Sequence, residues 1–268
     1  MVSAENHFAG EVETAERAAR AAGEIIMGLY GKDYQIREKG KGNPVTTADL
    51  EANRKLQDII LDRFPGDGWL SEEDHDNLKR LKAARVWVID PIDGTKEFIA
   101  GIPQFAVSVG LVVSGRPMLG VVYNPVEKEL YRAVKGGGAL LNGDPIHVSL
   151  RAEVKGALLL VSRSEPRRKF ARFAETCDLE PVGSIAYRLA KVAGGKGDGT
   201  LTFRSLHEWD VCAGVLIVEE AGGVVLDGAG KALIFNRPET VYHGIVASNE
   251  VLAHTLQGML AKALSETG

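Results

Sequence analysis

The chain has 268 residues, 45% hydrophobic and 25% charged, enough for one compact unit or two closely packed halves to bury a core without disulfides or structural metals. Thirty-two basic and 36 acidic side chains leave a net charge of −4, and the lack of a dense Lys/Arg run argues against a nucleic-acid polymer as partner. Cys177 and Cys212 form no metal-ligand spacing, no apolar run reaches membrane-spanning length, and residues 1–10 hold no apolar signal core, so the expectation is a soluble, cytoplasmic protein with reduced thiols and no membrane partner.

Val12, Ala15, Ala19, Ala22, Ile26 and Leu29 recur at helical spacing and predict a first amphipathic helix ending near Gly31. Residues 39–44 read as a polar, Gly-rich loop. Thr46 or Thr47 then caps a second helix that runs to Phe64, where Pro65-Gly66 stops it. Residues 85–89 are a short apolar run and predict a buried strand that delivers its C-terminal end to a polar loop at Asp90. Residues 105–113, 118–124 and 129–134 are β-rich and separated by Ser114-Gly115 and Asn124-Pro125, which predicts hairpins or a meander; Asn142-Gly143 is a further turn signal. In the second half, strands are expected at 157–162, 201–203, 224–226 and 245–248. Helices are expected at 166–177, 184–193, 210–221 and 250–264. Strand runs between helix pairs point to layered α and β elements rather than a simple βαβ repeat.

The chemistry concentrates after the first predicted strand, at Asp90-Pro91-Ile92-Asp93-Gly94-Thr95. Two aspartates lie three residues apart, Pro91 stiffens the link, and Gly94 permits a tight turn. Carboxylates at a buried strand end repel one another, and a hard divalent cation with oxygen ligands, magnesium or manganese, resolves that conflict. Gly94-Thr95 opens a short helix or turn whose free backbone N–H groups suit a phosphate. Taken alone, an Asp-x-x-Asp-Gly turn is more often plain surface, Glu72 a solvated loop charge and Asp210 a helix cap.

Several motifs in order change that balance. Residues 70–73 (Leu-Ser-Glu-Glu), 87–95 and 208–214 (Glu-Trp-Asp-Val-Cys-Ala-Gly) together resemble the signature of the inositol monophosphatase superfamily. Residues 44–49, with Val45-Thr46 and Asp49, resemble an earlier element of the same signature, and Gly183-Ser184 and residues 220–223 also fit. The finer resemblance is to the bacterial CysQ-like 3'(2'),5'-bisphosphate nucleotidases, carried by residues 95–98, 161–164, 208–210 and 235–238. Gly42 departs from the pattern, standing where related proteins commonly carry an acidic residue.

The resemblance implies a layered αβαβα sandwich, with an α+β half over residues 1–150 and an α/β half over 151–268 that carries Asp210. It implies a magnesium-dependent, lithium-sensitive phosphomonoesterase binding two or three Mg2+ ions per site. Glu72, Asp90 and the Ile92 carbonyl would hold the first ion, and Asp90, Asp93 and Asp210 the second. Thr95 would orient the attacking water, Asp49 would fix the Thr95 hydroxyl, and Glu72 would share the base role. Gly94, Thr95, Lys96, Gly183 and Ser184 would line the substrate. The substrate is a small phosphorylated metabolite: adenosine 3',5'-bisphosphate first, with Lys96, Arg163 and Arg188 as cations for its second phosphate, and inositol 1-phosphate as the alternative. A regulatory binding protein on the same fold is the alternative of a different class. A homodimer is common in the superfamily, and the sequence alone does not show one.

Overall fold

The computed structural model describes residues 7–40 and 42–265; positions 1–6, most of the N-terminal stretch read above as free of a signal core, lie outside them. The chain begins with α1 (Ala9–Leu29), followed by a two-stranded hairpin, β1 (Ile36–Gly40) and β2 (Asn43–Thr46), and by α2 (Thr47–Arg63). The hairpin replaces the loop expected at 39–44. Its first strand is exposed throughout, so it carries no apolar alternation by which a strand could be read. Thr46 caps α2 as expected: its hydroxyl accepts the Ala48 amide, and Asp49 reaches back to the Thr46 amide.

A seven-stranded sheet follows, in the order β3-β4-β5-β6-β7-β8-β9. Its strands are β3 (Gly68–Ser71), β4 (Arg85–Asp93), β5 (Ala106–Val113), β6 (Arg116–Asn124), β7 (Glu129–Val134), β8 (Gly138–Leu141) and β9 (Asp144–Pro145), with α3 (Thr95–Ile99) between β4 and β5. A five-stranded sheet then forms in the order β11-β10-β12-β14-β13, from β10 (Leu158–Ser162), β11 (Asp178–Val182), β12 (Gly199–His207), β13 (Gly223–Asp227) and β14 (Val241–Asn249). The helices of this half are α4 (Ala171–Ala174), α5 (Ile185–Ala193), α6 (Glu208–Glu220) and α7 (Glu250–Ser265).

Alternation along the strands stacks these pieces into five layers. On β4, Trp87 and Ile89 join α1 and α2 in one core, whereas Val86 and Val88 join α5 and α6 in another. On β10, Leu160 faces that same central core, and Leu159 and Val161 face a third core with Phe170, Phe173 and α7. The order is therefore helix pair, sheet, helix pair, sheet, helices: the expected αβαβα sandwich. α6 lies between the two sheets and is buried on every side from Val211 to Val218, which explains why its sequence is apolar all round. Its close approach to the first sheet needs glycine beneath it. A Cβ at Gly110 would fall 2.6 Å from Cys212 Sγ, and one at Gly120 would fall 2.6 Å from the Ala213 carbonyl oxygen.

The helix expected at 166–177 is instead a 3₁₀ turn (Arg167–Phe170) and the single turn α4. Phe170 and Phe173 are its buried anchors, and three successive basic residues supply no apolar stripe to extend it. β11 carries Pro181, which a sheet tolerates because β11 is an edge strand.

Candidate active site

β4 runs past Asp90 to Asp93, and its pairing with β5 shifts on the way: Asp90 pairs with Ser108 and Asp93 with Ala106, three steps against two. In a regular strand, residues three apart point to opposite faces. The extra residue of this bulge lets both carboxylates line one cleft. Glu72 enters from the loop after β3, Asp210 from the first turn of α6, and Thr95 and Lys96 from α3. Gly183 and Ser184 enter from the approach to α5. The cavity measures about 330 Å³.

Carboxylate oxygens of Glu72, Asp90 and Asp210 lie within 4.8 Å of one another. Asp93 lines the same cleft beside this trio. One of its oxygens is held by the Ser184 hydroxyl and the Ala186 amide, both at 2.6 Å. Asp90 accepts the Ile92 amide at 3.0 Å, and Asp210 accepts the His207 amide at 2.7 Å while remaining in the cleft, so capping and facing the site are compatible. Asp49, buried beneath, takes the Thr46 amide and hydroxyl on one oxygen. Its other oxygen lies 2.9 Å from the Thr95 hydroxyl, which also lies 3.1 Å from the Ile92 carbonyl. Gly94 has a φ of 100°, a left-handed conformation that favours glycine. At Gly183 a Cβ would meet the Gln104 carbonyl oxygen at 2.7 Å.

Burial and then the neighbouring carboxylates of Glu72, Asp93 and Asp210 push the Asp90 carboxyl well above the ordinary range. Asp210 is raised likewise, by burial and then by Asp93 and Glu72. Burial also raises Asp93, against the hydrogen bonds from Ser184 and Ala186 and the charge of Arg188. Burial lifts Glu73 to about 7, opposed by Lys39. An oxygen-only, mutually repelling donor set of this kind fits a hard divalent cation.

These shifts fix a sign. A carboxylate whose pKa is higher folded than unfolded stabilises the fold at low pH and loses that contribution as pH rises through the folded value. Metal-free protein is therefore expected to lose stability from the ordinary carboxylate value of 3.8 up towards about 7. Because a metal takes the deprotonated form, the rise in Tm on adding Mg2+ is expected to grow over the same interval. Thermal unfolding with and without Mg2+ at several pH values checks this, and a Tm increment independent of pH would oppose it.

Sequence reasoning missed Lys39. Its ammonium sits 2.8 Å from Glu72 Oε1 and 2.7 Å from Glu73 Oε1, placed there by the β1–β2 hairpin that the sequence pattern did not reveal. Arg204 also lines the cleft and donates to Ser164 Oγ at 2.8 Å. Of the two arginines expected to meet a second phosphate, Arg188 lines the cleft but is buried, and its NH1 donates to the Thr200 hydroxyl and the Leu201 carbonyl at 3.1 and 3.2 Å. Arg163 donates to Gln104 Oε1 and to the Pro181 carbonyl. His207 stacks on Trp209 with ring centroids 4.4 Å apart and lies 3.1 Å from the Thr240 hydroxyl, in keeping with a structural role.

Layered helices and sheets around a buried cluster of carboxylates, with a threonine hydroxyl seated on an aspartate, define a hydrolase of the metal-dependent kind. The family model described as the inositol monophosphatase family matches residues 10–268. An inositol-1-monophosphatase of Synechocystis sp. is 40% identical over 224 residues, covering 80% of this chain and 77% of the relative. The Nus factor SuhB of Escherichia coli strain K12 is 36% identical over 227 residues, covering 81% and 84%. Among solved structures, an IMPase of Thermotoga maritima superimposes with a TM-score of 0.88 at 30% identity, covering 97% of this chain and all of the other. The chain belongs to the inositol monophosphatase family, and it is a magnesium-dependent phosphomonoester hydrolase acting on small phosphorylated substrates. Among the described residues no helix is long and apolar enough to cross a membrane.

Proposed function

We propose that the chain hydrolyses the phosphate ester of a small polyol, with inositol 1-phosphate preferred over adenosine 3',5'-bisphosphate. The observation that carries this is Arg163, which does not line the cleft and donates instead to Gln104 Oε1 and the Pro181 carbonyl, so that a second substrate phosphate lacks that cation. The name of the Synechocystis relative supports the same order. It reverses the order expected from residues 95–98 and 161–164. The nucleotidase reading keeps one observation in its favour: Lys96, Arg188 and Arg204 all line the cleft.

In this proposal Glu72, Asp90, the Ile92 carbonyl, Asp93 and Asp210 hold two or three magnesium ions. When bound, magnesium neutralises phosphate charge and acidifies water. Asp49 accepts the Thr95 proton, which turns a Thr95 lone pair towards the attacking water and makes that oxygen its proton acceptor. Glu72 shares the base role. The Gly94 and Thr95 amides and Lys96 meet the phosphate oxygens, and Gly183 and Ser184 border the alcohol side. The family resemblance supports a cytoplasmic homodimer for the assembled enzyme.

The test is kcat/KM on inositol 1-phosphate, adenosine 3',5'-bisphosphate, fructose 1,6-bisphosphate and histidinol phosphate. A charge-assisted contact contributes about 1.5–3 kcal/mol, so a missing partner for the second phosphate costs roughly ten- to a hundredfold. Inositol 1-phosphate is expected to lead by that margin. A lead for the adenosine bisphosphate, lost in Lys96→Ala or Arg204→Ala, would transfer the assignment to the nucleotidase reading.

A further inference from the structure

Residues 235–238 carried part of the family resemblance, yet none of them lines the cleft. Their contacts run elsewhere. Glu208, the first residue of α6 and fully buried, accepts the Asn236 amide at 2.6 Å and the Arg237 amide at 2.9 Å, one on each oxygen. The same short segment accepts a guanidinium. Arg80 NH1 donates to Asn236 Oδ1 at 2.7 Å, and Arg80 NH2 donates to the Arg237 carbonyl at 2.9 Å. The other edge of Arg80 holds Asp76, at 2.7 Å through NH2 and 3.1 Å through Nε. Only 1% of the Arg80 side chain is exposed.

Asp76 lies on the loop that begins at Glu72, and Glu208 lies two residues before Asp210. The loop bearing one proposed ligand is thus fastened to the helix bearing another, across the two sheets, through Arg80, the Asn236 side chain and the 236–237 backbone. On its opposite side the loop is held to α2: Asn53 donates to Asp74 and accepts the Ser71 hydroxyl. Leu78, beside Arg80 in this loop, has a φ of 60°, and Asn236 has a φ of 56°. Left-handed backbone is unfavourable for leucine and persists where the surroundings over-determine it. Asparagine tolerates this backbone, so the constraint is evident at the Leu78 end.

We propose that Arg80, seated between Asp76 and the Asn236–Arg237 turn that Glu208 anchors, is a positioning residue setting the separation of Glu72 from Asp210 for magnesium. The inference rests on the assignment of Glu72 and Asp210 as metal ligands. Magnesium demands near-ideal octahedral geometry at short distances, so a loop free to drift by a fraction of an ångström binds it less well. Lysine at position 80 keeps a charge for Asp76, but one ammonium cannot reproduce the planar fork that spans three acceptors.

The experiment is calorimetric titration of metal-free protein with Mn2+, beside thermal unfolding. Arg80→Ala is expected to raise the Mn2+ Kd by no more than about tenfold, because Arg80 acts one contact further out than a direct partner of a metal ligand, whose loss costs about ten- to a hundredfold. Arg80→Lys is expected to fall between Arg80→Ala and wild type. Leu256→Ala loosens the outermost core, away from the cleft, and is expected to lower Tm while leaving the Mn2+ Kd at the wild-type value. Should Arg80→Ala fail to fold, Asn236→Gly removes one acceptor and suits the left-handed backbone, and is expected to weaken Mn2+ binding by a smaller factor. Wild-type Mn2+ affinity in the folded Arg80 or Asn236 variant overturns the proposal, as does an equal loss in Leu256→Ala. Unchanged binding in Glu72→Gln overturns the ligand assignment itself, and so separates the two failures.

Discussion

Asp210→Asn is expected to lower kcat/KM about a thousandfold, on the order of 4 kcal/mol of transition-state stabilisation, while the protein stays folded. Asp210 is buried among carboxylates that raise one another's pKa, and its removal relieves that repulsion in the metal-free protein. An amide also keeps an oxygen to accept the His207 amide, so the cap of α6 survives. The lost negative charge weakens the hold on the cation. The metal-free variant should therefore unfold at or above the wild-type Tm and gain much less from Mg2+. Wild-type activity at low Mg2+ would remove Asp210 from the site. A lowered Tm without metal would show that its role is structural.

The second large effect is expected at Thr95. Thr95→Ala should reduce kcat by about a hundredfold or more, within the range associated with a positioned proton acceptor. KM and Mg2+ affinity should change little, because Thr95 is not proposed to hold metal through its hydroxyl. Thr95→Ser keeps the oxygen and the 2.9 Å reach to Asp49, and should stay within a few-fold of wild type. Asp49→Asn tests the same pair from below. Its amide can supply a hydrogen to the Thr95 oxygen instead of accepting one, which opposes the orientation the reaction needs. Steady-state kinetics of the three variants at saturating Mg2+ check this. Equal losses in Thr95→Ser and Thr95→Ala would indicate that packing of the methyl group, not the hydroxyl, is what matters.

The sequence made the cleft legible because its parts are written in local patterns. An apolar strand ending in Asp90 announces a buried carboxylate, and the Asp93-Gly94-Thr95 turn follows without an interruption. The two long N-terminal helices and the β5–β6–β7 meander were legible for the same reason, and the central α6, apolar all round, was legible from the length of its apolar run after Asp210. What stayed hidden depends on register between distant segments. Lys39 reaches Glu72 and Glu73 only because Arg37 pairs with Val45 in a hairpin whose first strand is wholly exposed. β3 is four residues that begin with glycine, and β11 contains a proline, so both fell below the threshold of a strand pattern. Arg188 is apparent in sequence only as a cation on a helix. Its burial in the wall of the cleft, with NH1 held by Thr200 and the Leu201 carbonyl, is a tertiary fact. The bulge that turns Asp90 and Asp93 to one face was likewise invisible, although Pro91, with no amide to donate, stands within it.

Anomalous diffraction from crystals grown with Mn2+ shows whether the acidic cleft is the metal centre of this phosphomonoester hydrolase. Peaks are expected within coordinating distance of Glu72, Asp90, Asp93 and Asp210, with loss of the peak beside Asp210 in Asp210→Asn. Mn2+ bound only elsewhere in crystals of active enzyme, with these four carboxylates free of it, would place the metal centre outside the cleft.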